Sequence, residues 1–124
     1  MEIIANAVQT VAANQNVYFS DAVTSGNYAI EHRDGSGLVT LRGITNTQCR
    51  ARFRVHFGAN IAIAEGGTVE PISLAISLDG EPLPATTMTV TPAAVGNYFN
   101  VSTSVFIDIP QGCCSHIAVK NISD

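Results

Sequence analysis

Along most of this chain apolar and polar residues alternate with a period of two, the spacing of strands that bury one face. "NVYF" (16–19) reads as a short strand. After the turn-like "TSGN" come "YAIEH" (28–32), the turn "RDGSG" and "LVTLRG" (38–43). "QCRARFRVHFGANIAI" (48–63) is one long strand or two joined at Gly58, and "EGGT" ends it. "PISLAISL" (71–78) runs into "DGEP", where Asp79–Gly80 is a strong tight-turn signal. "TTMTVTP" (86–92) is stopped by its proline, and "NYFNVSTSVFIDIP" (97–110) alternates throughout. The loop "QGCC" then leads into a closing strand, "SHIAVKNI" (115–122). Only "ANAVQTVAANQN", residues 5–16, admits a helix, and its Val, Thr and Asn content suits an extended arm equally well. The expectation is an all-β chain. Residues 16–124 form a jelly-roll β-sandwich of about eight to ten strands, preceded by an N-terminal arm, residues 1–15. Pairing order is not readable from the periodicity.

Composition adds self-association to this picture. The 124 residues make one domain, and with 46% hydrophobic residues disorder is excluded. Only 13% are charged, against roughly 25% in ordinary domains, and Lys120 is the single lysine. A surface so poor in ionic groups is expected to be covered in part by other copies of the chain. The net charge of −4 argues against a general nucleic-acid binder. No apolar run approaches the roughly 18 to 20 residues that span a bilayer, so no membrane association is expected. The opening "MEIIANAVQT" has no basic n-region, which implies synthesis in the cytoplasm without a signal peptide.

The densest chemistry lies in "CRARFRVHFG", residues 49–58, where Arg50, Arg52, Arg54 and His56 occupy alternate positions. These three arginines are half of the chain's six cationic residues. On a strand they line one face while Phe53, Val55 and Phe57 line the other. Three readings stay open: a solvated face, a subunit contact with carboxylates such as Glu31, Asp34 or Asp108, or a patch for an anionic ligand such as a host glycan. Arginine suits the second because its planar fork binds carboxylates bidentately. A single-strand nucleic-acid binder would need aromatics on the arginine face. Cys113 and Cys114 adjoin each other in the turn, and Cys49 lies far away in sequence. Their spacing does not fit a zinc site, so they read as free thiols, with a disulfide to Cys49 or a bond between subunits left open. His32, His56 and His116 have different neighbours, and no nucleophile elbow, carboxylate pair or phosphate loop accompanies them. No enzymatic activity, metal or cofactor is expected.

The segments "RFRVHFGANIAI", "GGTVEPISLAISLDGEPLPATTMTVTP" and "NYFNVSTSVFIDIPQGCCSHIAVKNIS" together resemble the trimeric tumour-necrosis-factor-like jelly roll of bacteria and phages. That family includes the C-terminal domains of collagen-like exosporium proteins and small prophage structural proteins. The shared phrasing is a long strand, an alternating strand running into Asp-Gly-x-Pro-x-Pro, a strand ending in "IPQGC", and a closing "IAVKN". It spans about residues 16–122. No collagen-like Gly-x-y segment is present. The resemblance therefore implies a homotrimer acting as a non-enzymatic structural protein of a phage or prophage particle, such as a capsid decoration, head fibre or tail fibre. The alternative it leaves is a glycan- or receptor-binding module on a virion or spore surface. On this reading the N-terminal arm, with Ile3, Ile4, Val8 and Val11, attaches to capsid or tail proteins.

Overall fold

The computed structural model describes residues 1–5, 8–24, 29–33, 35–44 and 49–123. Its elements are β1 (Glu2–Ile4), β2 (Asp21–Thr24), β3 (Ile30–His32), β4 (Val39–Arg42), β5 (Arg50–Ile61), β6 (Ile72–Leu78), β7 (Glu81–Pro82), β8 (Met88–Val90), β9 (Phe99–Pro110) and β10 (Cys114–Asn121), with one 3-10 turn at Pro84–Thr86. Every pairing is antiparallel, and the chain is an all-β sandwich. No helix among the described residues is long and apolar enough to cross a membrane.

One layer is a six-stranded sheet in the order β3-β4-β10-β6, with β7 and β8 sharing the far edge of β6. Its organising strand is β10, paired with β4 from Cys114 to Ile117 and with β6 from Ile117 to Asn121. The other layer is a ribbon of β5 and β9, in continuous register from Arg50 opposite Pro110 to Ile61 opposite Phe99. A separate small ribbon joins β1 to β2. The long-range pairs nest: β4 with β10, β5 with β9, β6 with β8, passing from one layer to the other and back.

The two layers share one core. Leu41, Leu74, Ile76, Met88, Ile117 and Val119 from the six-stranded sheet meet Phe57, Val101, Ile107 and Ile109 from the ribbon. Phe19 closes one side, edge-on to Phe57 with ring centroids 6.5 Å apart. The layers join at the β9–β10 turn, where Gly112 (φ 79°) donates its N–H to the Gly43 carbonyl. A Cβ on Gly43 would stand 2.1 Å from the Pro110 carbonyl oxygen, so only glycine permits this approach.

The long segment at 48–63 is a single strand without a break at Gly58, while Gln48 and Tyr28 lie outside the described residues. Residues 16–19, expected as a strand, make only an isolated bridge from Asn16 to Lys120. The segment meets β10 over part of its length: Asn14 and Val17 donate to the Asn121 and Val119 carbonyls, filling the half of β10 that β4 leaves open. By Phe19 its N–H has turned to the Ser36 carbonyl. No helix occupies the described part of residues 5–16. The strand pattern did not anticipate β2 or the two-residue β7.

Asp79 and Gly80 both have positive φ (50° and 89°), as the tight two-residue hairpin between Leu78 and Glu81 requires. Past that hairpin the edge of β6 has a gap between its β7 and β8 pairings, at Ile76. The buried Thr86 hydroxyl fills it, accepting the Ile76 N–H at 2.9 Å and donating to the Leu83 carbonyl at 2.7 Å. Thr86→Val keeps the shape but orphans that N–H. It is expected to destabilise the fold by about 1–3 kcal/mol, read as a lower urea midpoint with an unchanged slope.

Candidate functional site

Along β5 the alternation sorts side chains cleanly: Arg50, Arg52, Arg54, His56, Gly58 and Asn60 are exposed, and the residues between them are partly or fully buried. On β9, Asn100, Ser102, Ser104, Phe106, Asp108 and Pro110 are exposed, mostly against buried neighbours. Register puts Arg52 opposite Asp108, Arg54 opposite Phe106, His56 opposite Ser104 and Asn60 opposite Asn100. The outer face is therefore one continuous surface, cationic at the Arg50 end and small and uncharged beyond Phe106.

Backbone direction follows from a single bond. Gln111, directly opposite Cys49 by extension of the register, donates its N–H to the Cys49 carbonyl at 2.9 Å. Odd-numbered residues of this ribbon thus form the hydrogen-bonded pairs, and even-numbered ones turn their N–H and C=O groups away from the partner strand. Pro110, which has no N–H, occupies one of those outward positions. The same residues that present side chains outward also present backbone groups along the edges. Among the described residues, the outer edge of β5 has no strand paired to it.

Asp108 organises the cationic end. Arg52 grips it bidentately, Nε to Oδ1 at 2.8 Å and Nη2 to Oδ2 at 3.2 Å, and Arg50 Nε approaches Oδ2 at 3.4 Å. The Arg52 hydrogen bond, reinforced by the charges of Arg52 and Arg50, holds the Asp108 carboxyl below the usual carboxylate range and raises the Arg52 guanidinium in turn. Arg54 has no partner among the described residues, and the position across from it is Phe106, which is 66% exposed. Of the carboxylates weighed for this face, Glu31 pairs with Arg42 at 2.7 Å and Asp34 lies outside the described residues. Phe106 was legible as an alternating position, but its place across from Arg54 depends on the β5–β9 register.

The cysteines lie in the chain near the same end of the ribbon, Cys49 bonded through its carbonyl to Gln111 and Cys113 following in the β9–β10 turn. Cys49, Cys113 and Cys114 are exposed free thiols. The Cys113 N–H closes the turn onto the Pro110 carbonyl, and Cys114 stands opposite Arg42 in β10. The histidines do not converge. His32 Nε2 donates to the Ser36 carbonyl and its Nδ1 is buried without a partner; His116 Nδ1 meets the Thr40 hydroxyl at 3.0 Å. His56 lies exposed on the ribbon. Among the described residues, no group of three or more His, Cys, Asp or Glu side chains is placed to hold a metal ion. A shallow depression lies elsewhere, lined by Ala5, Gln9, Tyr18, Ser20 and Gly35.

Set against models of known protein families and against curated proteins, the chain matches none.

Among the described residues, two carboxylates contribute to the acid response. Asp79 accepts the His116 N–H at 2.9 Å, and that bond holds its carboxyl below the usual range. Both Asp79 and Asp108 are depressed, so their contributions are present above the unfolded carboxylate pKa, about 3.9, and are lost as pH falls through the lower folded values. Asp79→Asn keeps an acceptor at a positive-φ position that asparagine tolerates, and Asp108→Asn removes the Arg52 clamp. Each is expected to melt lower than the native chain at pH 6 and to lose less melting temperature between pH 5 and pH 2, measured by circular dichroism.

Proposed function

We propose that this chain is a tumour-necrosis-factor-like jelly roll that assembles as a homotrimer and serves as a non-enzymatic structural protein of a phage or prophage particle. The nested pairing of β4 with β10, β5 with β9 and β6 with β8, alternating between layers, supports the rolled-ribbon reading. The observation that carries the assembly is the outer ribbon face. It sets the 66%-exposed Phe106 beside an arginine without a partner among the described residues, on a chain with only 13% charged residues. Exposed apolar surface rimmed by polar groups marks interaction sites, and obligate contacts favour rings of identical copies. At the N-terminus, Val8 is 87% exposed and offers an apolar contact to a capsid or tail protein.

A glycan- or receptor-binding module is the second reading, favoured by the same pairing of a cation with an exposed ring. Acidic glycan binding on an array, abolished in Arg54→Ala, would select it over a purely structural role.

The assembly is tested by light scattering coupled to size exclusion. With 13.0 kDa per copy the expected mass is about 39 kDa at micromolar concentration, or a multiple of it. A stable species near 13 kDa overturns the trimer. Mass spectrometry of purified particles is expected to find the protein there in stoichiometric amount, and its absence from them overturns the particle role.

A further inference from the structure

The outer ribbon face carries a cation and an exposed ring side by side, Arg54 and Phe106, and neither is engaged by the described residues of its own chain. A complementary surface lies on another part of the molecule. The loop between β5 and β6 presents Glu65 and Glu70, both exposed and without a cationic partner among the described residues, together with Val69, 49% exposed. This loop is built to stand out. A tight turn closes from the Gly67 N–H to the Ala64 carbonyl around Gly66 (φ 85°), and the Ile63 carbonyl is tied to the Gly96 N–H on the neighbouring loop.

The two surfaces do not reach each other within one copy. β5 is unbroken from Arg54 to Ile61, which places roughly 23 Å of strand between Arg54 and the start of the loop. We propose that they meet between copies: the Arg54–Phe106 face of one copy receives the Glu65–Glu70 loop of the next. The glutamates pair with Arg54, and Val69 packs on the Phe106 ring. The contact is head to tail, because the face and the loop are different surfaces of one protomer. Such contacts close into rings when the rotation between copies permits. The match is double, opposite charge with opposite charge and apolar with apolar. Charge pairing of this kind fixes register and orientation between partners. The proposal rests on the homotrimer reading and names the surfaces that form it.

Charge reversal tests it. Arg54→Glu alone, and Glu65→Arg with Glu70→Arg, are each expected to reduce the mass from about 39 kDa to about 13 kDa, one protomer of 13.0 kDa. All three reversals in one chain are expected to restore the trimer. Far-ultraviolet circular dichroism of the separated variants is expected to keep the native strand signal, since every altered side chain is exposed. A native trimer whose mass is unmoved by Arg54→Glu overturns this contact and leaves the trimer standing. Dissociation by Arg54→Glu that the triple reversal does not repair overturns the loop as the occupant. A native monomer removes both readings together.

Discussion

Two residues directly opposite in an antiparallel pair share a face of the sheet and a direction for their backbone groups, and in β5–β9 this coupling settles the character of both surfaces at once. Odd-numbered residues turn inward in both senses, bonding across the ribbon and packing Phe57, Val101, Ile107 and Ile109 onto the six-stranded layer. Even-numbered residues then turn outward in both senses. A slip of one residue in register would drive the arginines into the core and Phe53 and Phe57 into water, so the hydrophobic inner row fixes the pairing. The outer row, freed of packing duty, can carry arginines, small hydroxyl and amide residues and an exposed phenylalanine.

Where strands run out, side chains take their place. Thr86 bonds the Ile76 N–H in the gap between β7 and β8. The Asp79 N–H continues the ladder to the His116 carbonyl, and its carboxylate accepts the His116 N–H that a third strand residue would otherwise have bonded. The Gln9 amide bonds both the N–H and the C=O of Tyr18, as the backbone of a neighbouring strand would. The common cause is the cost of leaving a polar backbone group unpaired near the core. Short polar residues at turns and strand ends, which propensity alone reads as loop formers, here extend the sheets.

How much of this was legible follows from range. The alternation in "RARFRVHFGANI" and "FNVSTSVFIDIP" identifies both long strands and assigns each residue to a face, and "DG" marks its hairpin, because those signals are local. The strand expected at residues 16–19 shrinks to a bridge because the segment leaves β10 after Val17 and Phe19 turns to the Ser36 carbonyl, a tertiary matter. The two-residue β7 and the strand at Asp21–Thr24 are too short to show a period. The candidate face is legible by half. Arginines on alternate positions announce themselves, but that Asp108 takes two of them and Phe106 faces the third depends on pairing residues more than fifty positions apart. The protruding Glu65–Glu70 loop looked like a simple strand break.

The choice of arginine over lysine on β5 becomes intelligible from that pairing. Arg52 uses its planar fork on both oxygens of Asp108, and Arg50 reaches one of the same oxygens, so a single carboxylate serves two cations. A third cation two residues on stands across from Phe106, where a second carboxylate would have balanced it. Repulsion among three like charges on one strand face is small in water and screened by salt, so it does not threaten the fold. It does bias what can approach. An uncompensated guanidinium beside an exposed ring favours a surface that brings carboxylate and aliphatic groups together, and it disfavours a second copy of itself. A symmetric dimer with its twofold axis beside Arg54 would oppose arginines to arginines. The proposed head-to-tail contact avoids that opposition, and head-to-tail contacts between identical chains end only in a ring or a filament.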